Sequence, residues 1–466
     1  MRKKLGLVAC AALLVVSACS SSHGSAKAAD AGGGSTTTAA PASATKFGTL
    51  ESPCGKGAAK GATANGVTDT SITIGYGDDA GYAAAPGLDK EMSDAIKPMI
   101  KWCNDQGGIN GRQVVGNYYD AKVLQVTQAV TQACNDKVFM LVGQGWVLDA
   151  GQEQARIACK LATIPTYAVS TVFAHAPGMV QPLPNPGDEV PTSAAFQLAK
   201  LYPDAVKKAA FVFAEFPATR EPRDRYHAAF PKAGWSFLDC DQIYNIAGES
   251  DWKPFASNLK ACGVETLVWV GSPDPNFENF LAASKQVGFA PKAWLSDANQ
   301  YDTSFATWNA QNGGLANNVY VRMATVPFEL AGQVPAVKQY VDLVKGSGGK
   351  VALLGEQATS AFLLWATAVK ACGSTVTATC VLDQAGKQTG WTGGGLHTPT
   401  NPGKNEGPTC GMLVKLDGGT WTKVVPTGDV FDCNSDYLVK GVQTAGLAAA
   451  KLDANRVSTQ FGTFTP

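Results

Sequence analysis

The side chains best suited to metal or nucleophilic chemistry lie scattered through this chain. Its four histidines, at positions 23, 175, 227 and 397, do not cluster, so a histidine-rich metal site is not expected. No GxSxG elbow, HExxH, phosphate-binding P-loop or GxGxxG stretch occurs. The acidic pair Asp78-Asp79 reads as a solvated turn, because no oxygen-ligand series of calcium spacing surrounds it. Cysteine is the chemically distinctive residue. There are twelve, and setting aside Cys10 and Cys19 near the N-terminus leaves ten. These are Cys54, Cys103, Cys134, Cys159, Cys240, Cys262, Cys372, Cys380, Cys410 and Cys433. An even number without any CxxC points to a disulfide framework rather than to zinc or thioredoxin chemistry. Expected helix ends that lie near one another favour neighbour pairing: 54–103, 134–159, 240–262, 372–380 and 410–433. Counting alone leaves that map open.

A disulfide framework needs an oxidising compartment, and the first residues point to one. Arg2, Lys3 and Lys4 precede an apolar run from Leu5 to Val16, too short for an ordinary membrane span but right for a signal-peptide core. It ends in Val16-Ser17-Ala18-Cys19, which resembles a bacterial lipobox. That resemblance implies a signal peptide over 1–18, cleavage before Cys19 and lipidation of Cys19. Plain secretion with a cut near Ala28 or Ala29 is the alternative. Residues 20 to 46 are Ser, Gly, Ala and Thr with few large apolar side chains, and residues 19–65 read as anchor and flexible linker. No later segment reads as a span: the best candidate, Ala352 to Cys372, contains Glu356 and Lys370. The expected location is therefore the outer face of a bacterial plasma membrane, held by lipid only. Lys plus Arg and Asp plus Glu both number 38, so no basic stripe argues for nucleic acid.

The elements that must carry any site alternate. Strands are expected at Ser71–Tyr76, Gln113–Tyr119, Val138–Val142 and Ile164–Val169. Helices are expected at Asp89–Asp105, kinked by Pro98, at Leu124–Asn135 and at Asp149–Cys159. After a Pro-rich loop from Ala176 to Pro191 the alternation restarts. Further strands read at Ala209–Ala214, Trp235–Tyr244, Thr266–Gly271 and Ala293–Ser296, with helices at Thr219–Ala233, Trp252–Ala261 and Asn276–Val287. Such alternation implies parallel sheets covered on both faces, and the restart near 190 implies two lobes. Helices follow at 335–345 and 356–371, then a hairpin over Met412–Leu416 and Trp421–Val425. Residues 427–466 show weak periodicity and read as tail.

Gly66-Val67-Thr68-Asp69 leading into Ser71–Gly75, the stretch Asn104-Asp105-Gln106-Gly107-Gly108-Ile109-Asn110-Gly111-Arg112, and Asp120 with the helix after it together resemble the type I periplasmic binding proteins of ABC importers. The nearest branch is that of the leucine/isoleucine/valine-binding proteins. The resemblance, which spans roughly 66 to 433, implies an α/β fold of two Rossmann-like lobes joined by three crossovers, with lobe 1 at 66–185 plus 326–404, lobe 2 at 186–325 plus 405–430, and 431–466 as tail. Ligands of such sheets sit beyond the carboxyl ends of the strands. The candidate ligand-binding residues implied are Tyr82, Gln144, Trp146, Ser170, Thr171, Phe216, Asp274 and Asp297. Ser170 and Thr171 fall where relatives hold a ligand carboxylate, and Tyr82 where an aromatic covers it. Trp146 and Ala218 depart from the pattern of amino-acid binders, and the acid that would pair with a ligand amine has no clean counterpart, Asp297 being nearest. The implied activity is capture of a small organic ligand, amino-acid-like or an aromatic or organic acid, by hinge closure and delivery to permease subunits in the membrane. The resemblance implies a monomer that is not an enzyme, with no catalytic residue, metal or cofactor. A lipoprotein that senses a ligand and signals to a membrane receptor is the alternative.

Overall fold

The computed structural model describes residues 45–271 and 273–450. The lipobox and Cys19 lie outside the described residues.

The first sheet has four parallel strands in the order β2-β1-β3-β4. In chain order the unit is β1 (Ser71–Asp78), α1 (Glu91–Asp105), β2 (Gln113–Asp120), α2 (Val126–Asn135), β3 (Met140–Val142), α3 (Glu153–Ala158) and β4 (Ala162–Ile164). Residue 164 ends β4 where a strand to 169 is expected: Pro165 cannot donate to the ladder. Helix α1 runs on through Pro98, which is buried against the core.

The second unit begins with α4 (Ser193–Leu201) and continues β5 (Ala209–Ala214), α5 (Pro217–Ala229), β6 (Gln242–Tyr244), α6 (Lys253–Cys262), β7 (Thr266–Val270), α7 (Glu278–Val287), β8 (Ala293–Ser296), α8 (Thr303–Gln311) and β9 (Val319–Met323). The chain then returns to the first sheet as α9 (Pro335–Gly346), α10 (Leu353–Cys372) and α11 (Ala378–Gly386), with α9 and α10 packing on α1. It crosses back once more to add β10 (Cys410–Asp417) and β11 (Thr420–Val425) antiparallel to the second sheet, whose order is β11-β10-β9-β8-β7-β5-β6. The chain thus passes between the sheets three times. We call each sheet with its covering helices a lobe.

The apolar patterning explains the layers. Strands β5 and β7 are buried throughout and read as continuous apolar runs, as strands covered on both faces must. Helix α10 buries 15 of its 20 residues, Phe362 and Trp365 among them, and packs on α1 and α11. It is a core helix, and among the described residues no helix is long and apolar enough to cross a membrane.

Five disulfides join Cys54 to Cys103, Cys134 to Cys159, Cys240 to Cys262, Cys372 to Cys380 and Cys410 to Cys433. These are the neighbour pairs that helix-end adjacency favours. Residues 432–450 are more ordered than their weak periodicity implies. Asp432–Cys433 pairs with β10, Leu438–Lys440 pairs antiparallel with Glu189–Pro191, and a helix forms over Ala445–Ala450.

Candidate functional site

The carboxyl ends of both sheets' strands converge on one cavity of about 280 Å³. The first lobe supplies the loops after β1, β2, β3 and β4, seen as Tyr82 and Asp89, Val123, Val147, and Tyr167 to Val169. The second supplies Thr219 and Arg225 on α5, Gly271 after β7, Asp297 after β8 and Arg322 on β9. Gly271 is required there: a Cβ would lie 2.0 Å from the Tyr244 hydroxyl.

Two buried carboxylates shape the first-lobe wall. Asp79 accepts the Val123 amide at 2.6 Å and the Val147 amide at 2.8 Å. Asp149 accepts the amides of Val169 at 2.6 Å and Ser170 at 3.1 Å. Each anchors loops that line the cavity. Burial pushes Asp79 up to about 6 and Asp149 up to about 7 against these hydrogen bonds. The Asp78-Asp79 pair is therefore no solvated turn: both residues are fully buried, with Asp78 accepting the Tyr118 hydroxyl at 2.5 Å. Among the described residues no group of three or more His, Cys, Asp or Glu could hold a metal ion.

The charges facing the cavity are unevenly matched. Asp89, in the left-handed region at φ 58°, accepts the Tyr167 hydroxyl at 3.0 Å. Burial and the carboxylates of Glu91, Asp79 and Asp78 push its pKa well above the usual range. Across the cavity, Arg322 donates from Nε to Asp297 at 2.7 Å and from Nη2 to the Tyr226 hydroxyl at 2.5 Å, and Tyr226 donates to Asp297 at 2.8 Å. That cation is matched within the protein. Arg225 is not. It is 4% exposed and donates from Nη1 to the Pro186 carbonyl at 3.0 Å and to Asn185 Oδ1 at 3.4 Å. Its Nε is buried without a hydrogen-bond partner among the described residues. Burial pulls its pKa below the usual guanidinium value. A buried guanidinium lacking a carboxylate is costly unless something else supplies the anion.

The eight candidate residues separate accordingly. Tyr82 and Asp297 line the cavity. Gln144 is buried and donates to Thr163 at 2.6 Å. Trp146 is wholly buried in an apolar cluster with Tyr119, Val126 and Leu141, one residue from the lining Val147. Ser170 caps the short helix Thr171–Ala174 through the Phe173 amide, and Thr171 donates to Glu221. Phe216 precedes α5 and packs on the core, and the backbone of Asp274 lies in the turn Pro273–Phe277. Reading the sequence missed Arg225, Arg322 and Asp89. Arg225 carries a signal: one turn after Glu221, it lies on the buried face of a helix whose mean hydropathy is low.

Fold and cavity together define a two-lobed protein built to enclose a small molecule. A sequence model of the periplasmic binding protein family matches residues 71–420, and the chain belongs to that family. No curated protein sequence matches it. Solved structures share the fold at low identity. A fatty acid ABC transporter substrate-binding protein from Thermomonospora curvata is 16% identical, with TM-score 0.62 over 80% of this chain and 95% of that one. The branched-chain amino acid transporter substrate-binding protein LivJ from Streptococcus pneumoniae, in complex with isoleucine, is 14% identical, with TM-score 0.60 over 76% and 99%. A solute-binding protein from Rhodopseudomonas palustris BisB5, in complex with 3,4-dihydroxybenzoic acid, is 15% identical, with TM-score 0.63 over 81% and 99%.

Proposed function

We propose that this chain is the solute-binding subunit of an ABC importer, that it captures a small organic carboxylate, and that Arg225 receives the carboxylate. The observation that carries the ligand class is the buried Arg225 guanidinium, which lines the cavity with its Nε unpartnered among the described residues. A carboxylate matches the planar fork of a guanidinium in two hydrogen bonds. The apolar lining of Leu88, Val147, Val169 and Leu354 suits the rest of a small amino-acid-like, aromatic or organic acid. Isoleucine and 3,4-dihydroxybenzoic acid, bound by two of the structural relatives, are both carboxylic acids. The ligand enters between open lobes and favours closure by its extra affinity for the closed state. The protein acts as a monomer tethered outside the membrane through lipid on Cys19, which keeps it near its permease.

The test is a thermal-shift screen of residues 47–466 against amino acids, aromatic and aliphatic acids, each beside its primary amide. A ligand at 100 times its dissociation constant adds roughly 2.7 kcal/mol of stability. Shifts with acids and not with amides are expected, and cells lacking the protein should lose uptake of the labelled acid. Shifts confined to uncharged compounds would refute the carboxylate reading, and unchanged uptake would refute the importer.

A further inference from the structure

We propose that Glu221 is a positioning residue, a clasp across the cleft that shifts the open–closed equilibrium of the two lobes toward closure even without a ligand. Glu221 sits on α5, after β5 of the second sheet, and Thr171 follows β4 of the first. One carboxylate oxygen, Oε2, accepts both the Thr171 amide at 2.9 Å and the Thr171 hydroxyl at 3.0 Å. Thr171 is 2% exposed and Glu221 is half-buried, so these charge-assisted bonds sit at the margin of the cleft, partly shielded from bulk water.

The surroundings single this contact out. Three consecutive amides, those of residues 169, 170 and 171, donate to carboxylates. The first two reach Asp149 within their own lobe, and the third reaches Glu221 in the other. The Thr171 amide is therefore presented by a loop already pinned in place. On α5, Arg225 lies one turn after Glu221 and donates to Pro186 and Asn185 in the first crossover, so one helix grips both the first-lobe rim and the crossover. The C-terminal stretch lies alongside. Leu438–Lys440 pairs with Glu189–Pro191 in that crossover, and the helix Ala445–Ala450 packs against Thr171–Ala174. A Cβ added at Gly446 would lie 3.1 Å from the Glu221 side chain. Neither Glu221 nor Thr171 lines the cavity, so the clasp works beside a ligand rather than on it. Opening the cleft breaks both bonds and returns the carboxylate, the amide and the hydroxyl to water.

The experiment uses the disulfide-bonded chain without ligand, as wild type, Glu221→Ala, Thr171→Val, Thr171→Ser and the Glu221→Ala/Thr171→Val pair. Small-angle scattering reads the separation of the lobes, and hydrogen exchange reads opening at cavity-lining segments 167–169 and 322–324. Loss of the charged acceptor should lower the closed-to-open ratio about tenfold or more. Glu221→Ala should enlarge the radius of gyration and speed exchange on both sides of the cleft. Thr171→Val should do so partly, Thr171→Ser should match wild type, and the pair should go no further than Glu221→Ala. Unchanged scattering, with faster exchange confined to the Thr171 amide, would overturn the proposal. If Glu221→Ala does not fold, the contrast between Thr171→Val and Thr171→Ser decides. The test needs no ligand, so its failure leaves the carboxylate reading standing, and the reverse.

Discussion

Replacing Arg225 by methionine removes the guanidinium while keeping an unbranched apolar stem of similar length. In the ligand-free protein the change should be mild. It deletes a buried charge that forms no ion pair among the described residues, and it costs the hydrogen bonds from Nη1 to Pro186 and Asn185. The two effects oppose each other, so stability should move by no more than about 1 kcal/mol. Binding should change far more. Truncating one partner of a buried, hydrogen-bonded charge pair costs about 3–5 kcal/mol, which is roughly a hundredfold to several thousandfold in affinity. Isothermal titration of the acid found by screening, and of its primary amide, separates charge recognition from packing. Wild type should prefer the acid strongly. In Arg225→Met the acid should fall to the level of the amide, while Arg225→Lys should keep part of the preference because it keeps charge without the planar fork. If Arg225→Met binds the acid as tightly as wild type and still prefers it over the amide, the reasoning from the unmatched guanidinium is wrong.

Three further outcomes are expected. Asp149 and Asp79 have folded pKa values raised to about 7 and about 6 from 3.8, so the folded form holds more protons than the unfolded form between about pH 4 and 7. Their contribution to stability is therefore greatest at the acid end and falls as pH rises through that window. Urea unfolding at pH 5 and pH 8 should show this, and Asp149→Asn, whose carbonyl can still accept the Val169 and Ser170 amides, should flatten the slope; an unchanged slope would exclude Asp149 as its source. Replacing both Cys54 and Cys103 by alanine opens a link with a sequence separation of 49 and should cost roughly 4 kcal/mol by loop entropy. The same change at Cys372 and Cys380, separation 8, should cost roughly 2.5 kcal/mol in denaturant melts, and equal losses would rule out the loop-length account. Cys19→Ser should release the protein from the membrane fraction and abolish fatty-acid labelling; persistence of both would show that the anchor lies elsewhere.

Much of the architecture can be read along the chain because its cause is local. The strands Ala209–Ala214 and Ala293–Ser296 are bounded in the structure where their apolar runs begin and end. The helices Ser193–Leu201, Thr303–Gln311 and Ala378–Gly386 escape a periodicity reading because each is only 9 residues long and its buried face is completed by distant strands or helices. Strand Val319–Met323 escapes it because it is short and carries Arg322, a charge tolerated there by Asp297 and Tyr226. The stretch over 432–450 has little pattern of its own because β10 and the strand Glu189–Pro191 supply its pairing partners.

By itself the sequence determined the α/β class and the restart near residue 190, which follow from short-range order in apolar period and turn residues; its motifs carry the resemblance to the family. Expected helix ends favour neighbour pairing of the cysteines, and the fold fixes it. The site belongs to the tertiary structure. Only folding brings Asp89 of the first lobe and Arg225 of the second to one cavity, buries Trp146 behind Val147, and matches Arg322 with Asp297 while leaving the Nε of Arg225 unpartnered among the described residues. Whether a charge is satisfied depends on which groups surround it in space and how little water reaches it, and neither is written in its neighbours along the chain.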